Sequence, residues 1–158
     1  MKIGIMADSH DNLPAISKAV GVFNDADVSL VVHAGDLVAP FVSIPLKNLR
    51  VEFTAVFGNN DGEKLGLYNT FKGRIHRPPY DFDFGGKKIL LMHEPDNIDI
   101  LAATGHYDAI IYGHTHLANV RRERTLVINP GEAAGWLKGN RTVAIWDLMN
   151  NDVQVLPI

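Results

Sequence analysis

Ala109-Ile110-Ile111-Tyr112-Gly113-His114-Thr115-His116 is a short apolar run that stops at a glycine and delivers two histidines. Four apolar residues bounded by a glycine have the length and composition of a buried strand, which puts both histidines at its C-terminal end. Open α/β sheets place their ligands at that end. In extended chain, residues i and i+2 point to the same side, about 6.6 Å apart. Both imidazoles are therefore expected to face one place, where one metal ion or two could sit. A His-x-His taken alone is more often a pair of solvated loop histidines, so the other strand ends must decide.

Working outward, the same pattern recurs. Ile3 to Ala7 is apolar and ends in Asp8-Ser9-His10-Asp11-Asn12; Ser29 to His33 ends in Ala34-Gly35-Asp36; Val51 to Phe57 ends in Gly58-Asn59-Asn60-Asp61-Gly62. Tyr80, Phe82 and Phe84 alternate with Asp81 and Asp83, and Gly85-Gly86 turns the chain into Lys88 to Met92, a hairpin whose second strand ends at His93. Ile16, Ala19, Val20 and Phe23 recur at helical spacing behind Pro14. A second helix is expected from Ala39 or Pro40 to about Leu49, kinked or split at Pro45. A third runs from Lys64 to Lys72, with Leu65, Tyr68 and Phe71 on one stripe. Arg74 to Pro79 reads as a linker, and a helix capped by Asp96 stops at Gly105. Arg121 to Ile128, Thr142 to Leu148 and Val153 to Leu156 read as consecutive antiparallel strands. The first half is βαβαβ and the second mostly β, which predicts an α/β (α+β) fold: two mixed β-sheets flanked by helices, a four-layer αββα sandwich.

The 158 residues suit one domain, residues 1–158, and 46% hydrophobic composition suits a globular protein with a sizeable core. A net charge of -3 argues against a protein that holds nucleic acid by a basic surface, so no stable nucleic-acid complex is expected. With no cysteine, a metal must be held by N and O donors, and seven histidines supply the nitrogen. The apolar start reaches Asp8 too soon for a signal peptide, and no segment approaches the roughly 18 apolar residues of a membrane span. The expected location is the cytoplasm, and a homodimer remains open.

The polar residues gathered at the strand ends are Asp8, His10, Asp36, Asn59, His93, His114 and His116. Each has an ordinary reading alone: a helix cap, a turn, a core histidine. Their joint order, Asp-x-His, Gly-Asp, Gly-Asn-Asn-Asp, His, Gly-His-x-His, resembles the calcineurin-like metallophosphoesterase family, and specifically its small single-domain archaeal and bacterial phosphodiesterases. The likeness runs from Met1 through Asn129-Pro130-Gly131.

What the resemblance implies is a dinuclear site. Asp8, His10 and His116 would hold one ion, Asn59, His93 and His114 the other, and Asp36 would bridge them. Asp36, Asn59 and His10 are the implied catalytic positions, with Asn60, Asp61 and Asn129 close behind or beside the substrate. Two divalent ions bring about +4, while two carboxylates and a bridging hydroxide remove about three; the balance of about +1 suits a phosphodiester. The implied reaction is in-line hydrolysis of a small phosphodiester by a metal-activated hydroxide. Manganese is the expected ion, with nickel, iron, cobalt or zinc as alternatives. A second reading, a non-catalytic metal-binding scaffold like the retromer subunit of the same fold, is opposed by the intact ligand set.

Two stretches depart from the family pattern. Many members carry Gly-Asn-His-Glu where this chain has Gly58-Asn59-Asn60-Asp61. Asn60 cannot act as the titrating proton donor a histidine would provide, which favours diesters over monoesters. Glu94 follows His93 where glycine is common, and capping of the next helix is its expected role. His33 is expected beneath the site, His76 and His106 in loops, and Arg121, Arg122 and Arg124 on a solvated hairpin face.

Overall fold

The structure is a computed structural model that describes every residue except 138. Among the described residues the chain forms eleven strands and four α-helices. In order these are β1 (Lys2–Met6), α1 (Leu13–Asp25), β2 (Leu30–His33), a 3-10 turn (Pro40–Val42), α2 (Ser43–Leu46), β3 (Glu52–Val56), α3 (Lys64–Thr70) and β4 (Ile75–His76). They continue as β5 (Tyr80–Phe84), β6 (Lys87–Leu91), α4 (Ile98–Thr104), β7 (Ala109–Ile111), β8 (Asn119–Arg122), β9 (Leu126–Asn129), β10 (Thr142–Asp147) and β11 (Asp152–Pro157).

The strands lie in two mixed sheets, ordered β11-β10-β1-β2-β3-β4 and β5-β6-β7-β9-β8. In the first, β1 to β4 are parallel, β10 pairs antiparallel with β1, and β11 pairs antiparallel with β10; in the second, β6, β7 and β9 are parallel and β5 and β8 run against them. Three apolar clusters fill the spaces between four layers. Ile3, Ile5, Val32 and Trp146 meet Ile89, Leu91, Ile111 and Ile128 between the sheets. Ile16, Phe23, Val31 and Leu67 pack between the first sheet and its helices, and Leu90, Ile110 and Val127 pack against Ala102, Ile98 and Leu101 of α4. Strands covered on both faces must be apolar at every position, which is why their sequences are continuous hydrophobic runs rather than alternating ones.

Local chemistry explains some of the element ends. The Asn12 side chain accepts from Ala15 N at 3.2 Å to start α1, and Gly85 and Gly86, both with positive φ, make the two-residue β5–β6 turn. Gly4 lets α1 approach β1, since a Cβ there would lie 2.6 Å from Phe23 Cδ1.

Several expectations are corrected. Arg121 to Ile128 is not one strand: the polar Glu123-Arg124-Thr125 turns it into the β8–β9 hairpin. The last two strands pair antiparallel as expected, but they do not follow on from β9, which inserts beside β7 while β10 and β11 cross to the first sheet. The helix around Pro45 is shorter, a 3-10 turn leading into four α-helical residues. In α3 it is Leu67 that is buried, while Leu65 and Tyr68 are exposed; a seven-residue helix touches the core along too narrow a strip for the expected stripe. The Arg74–Pro79 linker contains β4, which extends the parallel edge beside β3, and His76 stacks on Tyr80 with ring centroids 3.7 Å apart. Finally, α4 is entered through Asn97 in a left-handed conformation with no side-chain cap, so neither Asp96 nor Glu94 caps it.

Candidate metal centre

β1, β2, β3, β6 and β7 all end at the same rim, and the loops beyond them bring the seven expected ligands together. The mechanism differs from extended-strand geometry. β7 ends at Ile111, and His114 and His116 have φ of 68° and 60°; they face the site from left-handed turns, not from alternate positions of a strand. Asp8, His10 and Asp36 are also left-handed, with φ of 52°, 38° and 63°. Such backbone costs about 1–3 kcal/mol per residue and persists where surroundings over-determine it, typically at functional sites.

Those surroundings are long-range hydrogen bonds. Asp8 N donates to Gly35 O and His10 N to Asp36 O, both at 3.0 Å. His114 N donates to the Asp8 carboxylate at 3.0 Å. Asn129, fully buried, donates through Nδ2 to Gly113 O and Thr115 Oγ1, both at 3.0 Å, and so braces the His114–His116 turn. Asp61 closes the rim: its carboxylate accepts the backbone N–H groups of Gly58 at 2.7 Å, Val38 at 2.6 Å and Asp36 at 3.2 Å. It is buried at 2% exposure. Asp61 thus ties the loops after β2 and β3 together rather than facing substrate.

The donor atoms fall into two groups around Asp36. Asp8, His10 and His116 form one, with donors within 4.8 Å of one another, and Asp8, Asp36 and His93 form another. Asn59 Oδ1 lies 2.8 Å from His93 Nε2 and 3.0 Å from His114 Nδ1. Asp36 Oδ2 stands between, 3.6 Å from His10 Nε2 and 3.4 Å from His93 Nε2. Asn60 is more than a neutral bystander: its backbone N and its Nδ2 both donate to the Asp36 carboxylate at 2.8 Å.

The protonation balance suits a cation. Burial raises the Asp8 carboxyl to about 7, against the pull of His93 and His116. Burial would also raise Asp36, but hydrogen bonds from His93 and Asn60 hold it well below the usual carboxylate range. Burial lowers His10, which keeps its ring neutral and able to donate a lone pair. Its Nε2 is buried without a hydrogen-bond partner among the described residues. An orphaned imidazole nitrogen beside two buried carboxylates is the arrangement a divalent ion satisfies, and the mixed N and O set fits manganese, nickel, iron, cobalt or zinc.

Glu132 was not foreseen. It is buried, with Oε2 3.3 Å from His116 Nδ1, on the opposite side of the ring from the Nε2 that lies 3.5 Å from Asp8 Oδ1. A carboxylate behind a ligand histidine fixes its tautomer and ring orientation. The only signal in the sequence was its place after Asn129-Pro130-Gly131. Glu132→Gln is expected to weaken manganese binding about 10–100-fold, measured by competition with a fluorescent chelator; unchanged affinity would reduce Glu132 to a backbone clasp for Trp136 and Leu137.

The remaining polar candidates lie elsewhere. His33 is buried behind the site with Nε2 2.9 Å from Ser9 Oγ, and burial lowers it to about 3. Arg121 pairs with Asp99 and Glu123 on the β8 surface. Glu94 is exposed beside His93, on the wall of a cleft of about 510 Å³ that Lys64 and Arg77 also line.

Comparison with known proteins agrees with this geometry. The chain is 41% identical to a phosphodiesterase of Methanocaldococcus jannaschii over 93% of each chain. A solved archaeal phosphodiesterase superposes with a TM-score of 0.94 at 37% identity, covering all of both chains. Vps29 of Entamoeba histolytica shares the fold alone, with a TM-score of 0.72 at 18% identity over 100% of this chain and 98% of that one. The family model of the calcineurin-like phosphoesterase superfamily domain matches residues 1–151, and the chain belongs to that superfamily.

Proposed function

We propose that this protein is a metal-dependent phosphodiesterase acting on a small phosphodiester in the cytoplasm, with Asp36 bridging two divalent ions. The observation that carries the reading is the position of Asp36 Oδ2, 3.6 Å from His10 Nε2 on one side and 3.4 Å from His93 Nε2 on the other. A carboxylate has two oxygens to share between cations, whereas each imidazole serves one. On this reading Asp8, His10 and His116 hold one ion, and Asn59, His93 and His114 the other. Bound there, two divalent ions would lower the pKa of a shared water, present it in line with phosphorus and offset the charge of the diester.

The protein's own groups set up the rest. Asn60 holds Asp36 in place through two hydrogen bonds, Asn59 contributes an amide oxygen without further negative charge, and Lys64 and Arg77 line the cleft next to Asn59 and His93, where they attract an anion. No titrating group stands at position 60 to protonate a leaving oxygen. Diesters with good leaving groups are therefore favoured. The phosphodiesterase names of the M. jannaschii relative and of the solved archaeal structure support the same substrate class.

The test is a substrate comparison on manganese-reconstituted protein. Hydrolysis of bis(4-nitrophenyl) phosphate is expected to exceed that of 4-nitrophenyl phosphate by about tenfold or more in kcat/KM; both release 4-nitrophenolate, so the ratio reads the site's preference for a diester monoanion over a monoester dianion and not leaving-group protonation. Faster monoester hydrolysis, or diester hydrolysis untouched by chelation, would overturn the proposal.

A further inference from the structure

Next to the ligand cluster are two apolar side chains that the metal chemistry does not use. Trp136 and Leu137 are 64% and 71% exposed, and with His10, Asn60, His116 and Glu132 they line a cleft of about 220 Å³. The indole is not a loose surface group. Its Nε1–H donates to the His10 carbonyl at 3.3 Å, and its backbone N–H donates to Glu132 Oε1 at 2.6 Å. Leu137 N donates to Glu132 Oε2 at 3.2 Å. The buried carboxylate that backs His116 therefore also fixes the segment bearing the tryptophan, which couples the position of the ring to that of the ligands.

The two halves of the ligand set open into unlike surroundings. His93 and Asn59 border the cleft carrying Lys64 and Arg77; His10 and His116 border the cleft carrying Trp136 and Leu137. The first is suited to charge and the second to an apolar face. At about 220 Å³ the second is smaller than the roughly 300–1,000 Å³ that encloses a whole drug-sized ligand, so it receives one part of a substrate. A pinned, exposed indole is a stacking platform for a planar ring, at little entropic expense because its hydrogen bonds already hold it.

We propose that the Trp136–Leu137 cleft is the subsite for a planar aromatic group of the substrate, a nucleobase or an aryl ring, stacked on Trp136 while the phosphoryl group lies at Asp36. This rests on the phosphodiesterase reading. It makes the preferred substrate a diester with at least one ring-bearing arm on the His10–His116 side.

The test compares three diesters on manganese-loaded protein: bis(4-nitrophenyl) phosphate, adenylyl-3′,5′-adenosine and the ringless glycerophosphoethanolamine. Trp136→Ala is expected to lower the ratio of kcat/KM for a ring-bearing diester over the ringless one by about tenfold, through KM, as loss of one stacking contact predicts; Trp136→Phe is expected to restore most of it. A drop for the dinucleotide assigns the subsite to nucleobases, and a drop for the nitrophenyl ester alone assigns it to aryl groups. An unchanged ratio, with all three diesters affected equally or not at all, overturns the proposal. Fluorescence supplies a readout independent of turnover. Because Trp146 is buried, quenching by adenosine 5′-monophosphate but not by glycerol 3-phosphate, lost in Trp136→Phe, supports the subsite. Equal response to both monophosphates overturns it. Selective quenching with no hydrolysis of any diester would overturn the phosphodiesterase reading and leave the aromatic subsite standing.

Discussion

Asp36→Asn is expected to lower kcat for bis(4-nitrophenyl) phosphate by about 10³-fold, while Asn60→Ala lowers it by only about tenfold. The amide is nearly isosteric with the carboxylate, so the difference isolates charge. In the native protein Asp36 is 1% exposed, accepts two hydrogen bonds from Asn60 and stands between His10 and His93. An asparagine there presents one oxygen instead of two and no negative charge, so on the proposed dinuclear reading neither ion would keep the shared anion. Metal-supplied charge stabilisation is worth several kcal/mol, and about 4 kcal/mol corresponds to the 10³-fold expected. Asn60→Ala removes the Nδ2 donor but leaves the backbone N–H donor in place, a change on the scale of one charge-assisted hydrogen bond, about 1.5–3 kcal/mol at most. Metal content by elemental analysis should fall in Asp36→Asn and hold in Asn60→Ala. Equal losses in the two variants would remove Asp36 from the bridging position.

Gly58→Ala is expected to be nearly as damaging, although Gly58 contributes no side chain. A Cβ at this position would lie 2.1 Å from Asp36 Oδ1 and 2.5 Å from Asp36 N. Rotation of the Asp36 side chain relieves the first contact but not the second, because a backbone atom is involved. The loops after β2 and β3 must separate, which breaks the clasp in which Asp61 accepts from Gly58, Asp36 and Val38. A loss of about 10²-fold or more in kcat is expected, since misplacement by about 1 Å is enough for that. Overpacking of this kind destabilises by about 1–3 kcal/mol, a fall in Tm of about 2–4 °C for each kcal/mol in a chain of this size. Full activity with normal metal content would show that the two loops tolerate separation and that Asp61 is not what registers them.

Much of the candidate site was legible because its residues are short-range punctuation at the ends of long apolar runs. Strands buried on both faces announce themselves by composition, and parallel strands with their C-terminal ends on one rim bring Asp8, His10, Asp36, Asn59, His93, His114 and His116 together whatever the details of pairing. The role of Asp61 was harder to see. A turn-forming Asn-Asn-Asp-Gly looks the same whether its aspartate faces solvent or accepts three buried amides. Glu132 was illegible for a related reason: its partner His116 is distant in the fold's wiring, reached only after β8 and β9 have made their hairpin. The apolar pair Trp136 and Leu137 carried no periodicity and became meaningful only beside His10 and His116.

The sequence by itself determined the fold class, the paired layers and which polar residues stand at the strand ends, because hydrophobic runs and donor chemistry are carried by neighbouring residues. Tertiary structure alone decided three things. It assigned β10 and β11 to the first sheet and β9 to a place beside β7, since a strand's partner depends on which faces remain to be covered. It placed Glu132 behind His116 and Asp61 beside Asp36. And it set Asp8, His10, Asp36, His114 and His116 in left-handed backbone, a conformation that none of these residues favours locally. Hydrogen bonds between loops far apart in sequence offset that local strain, so the Gly113-His114-Thr115-His116 turn takes its working shape only when the rest of the rim is assembled around it.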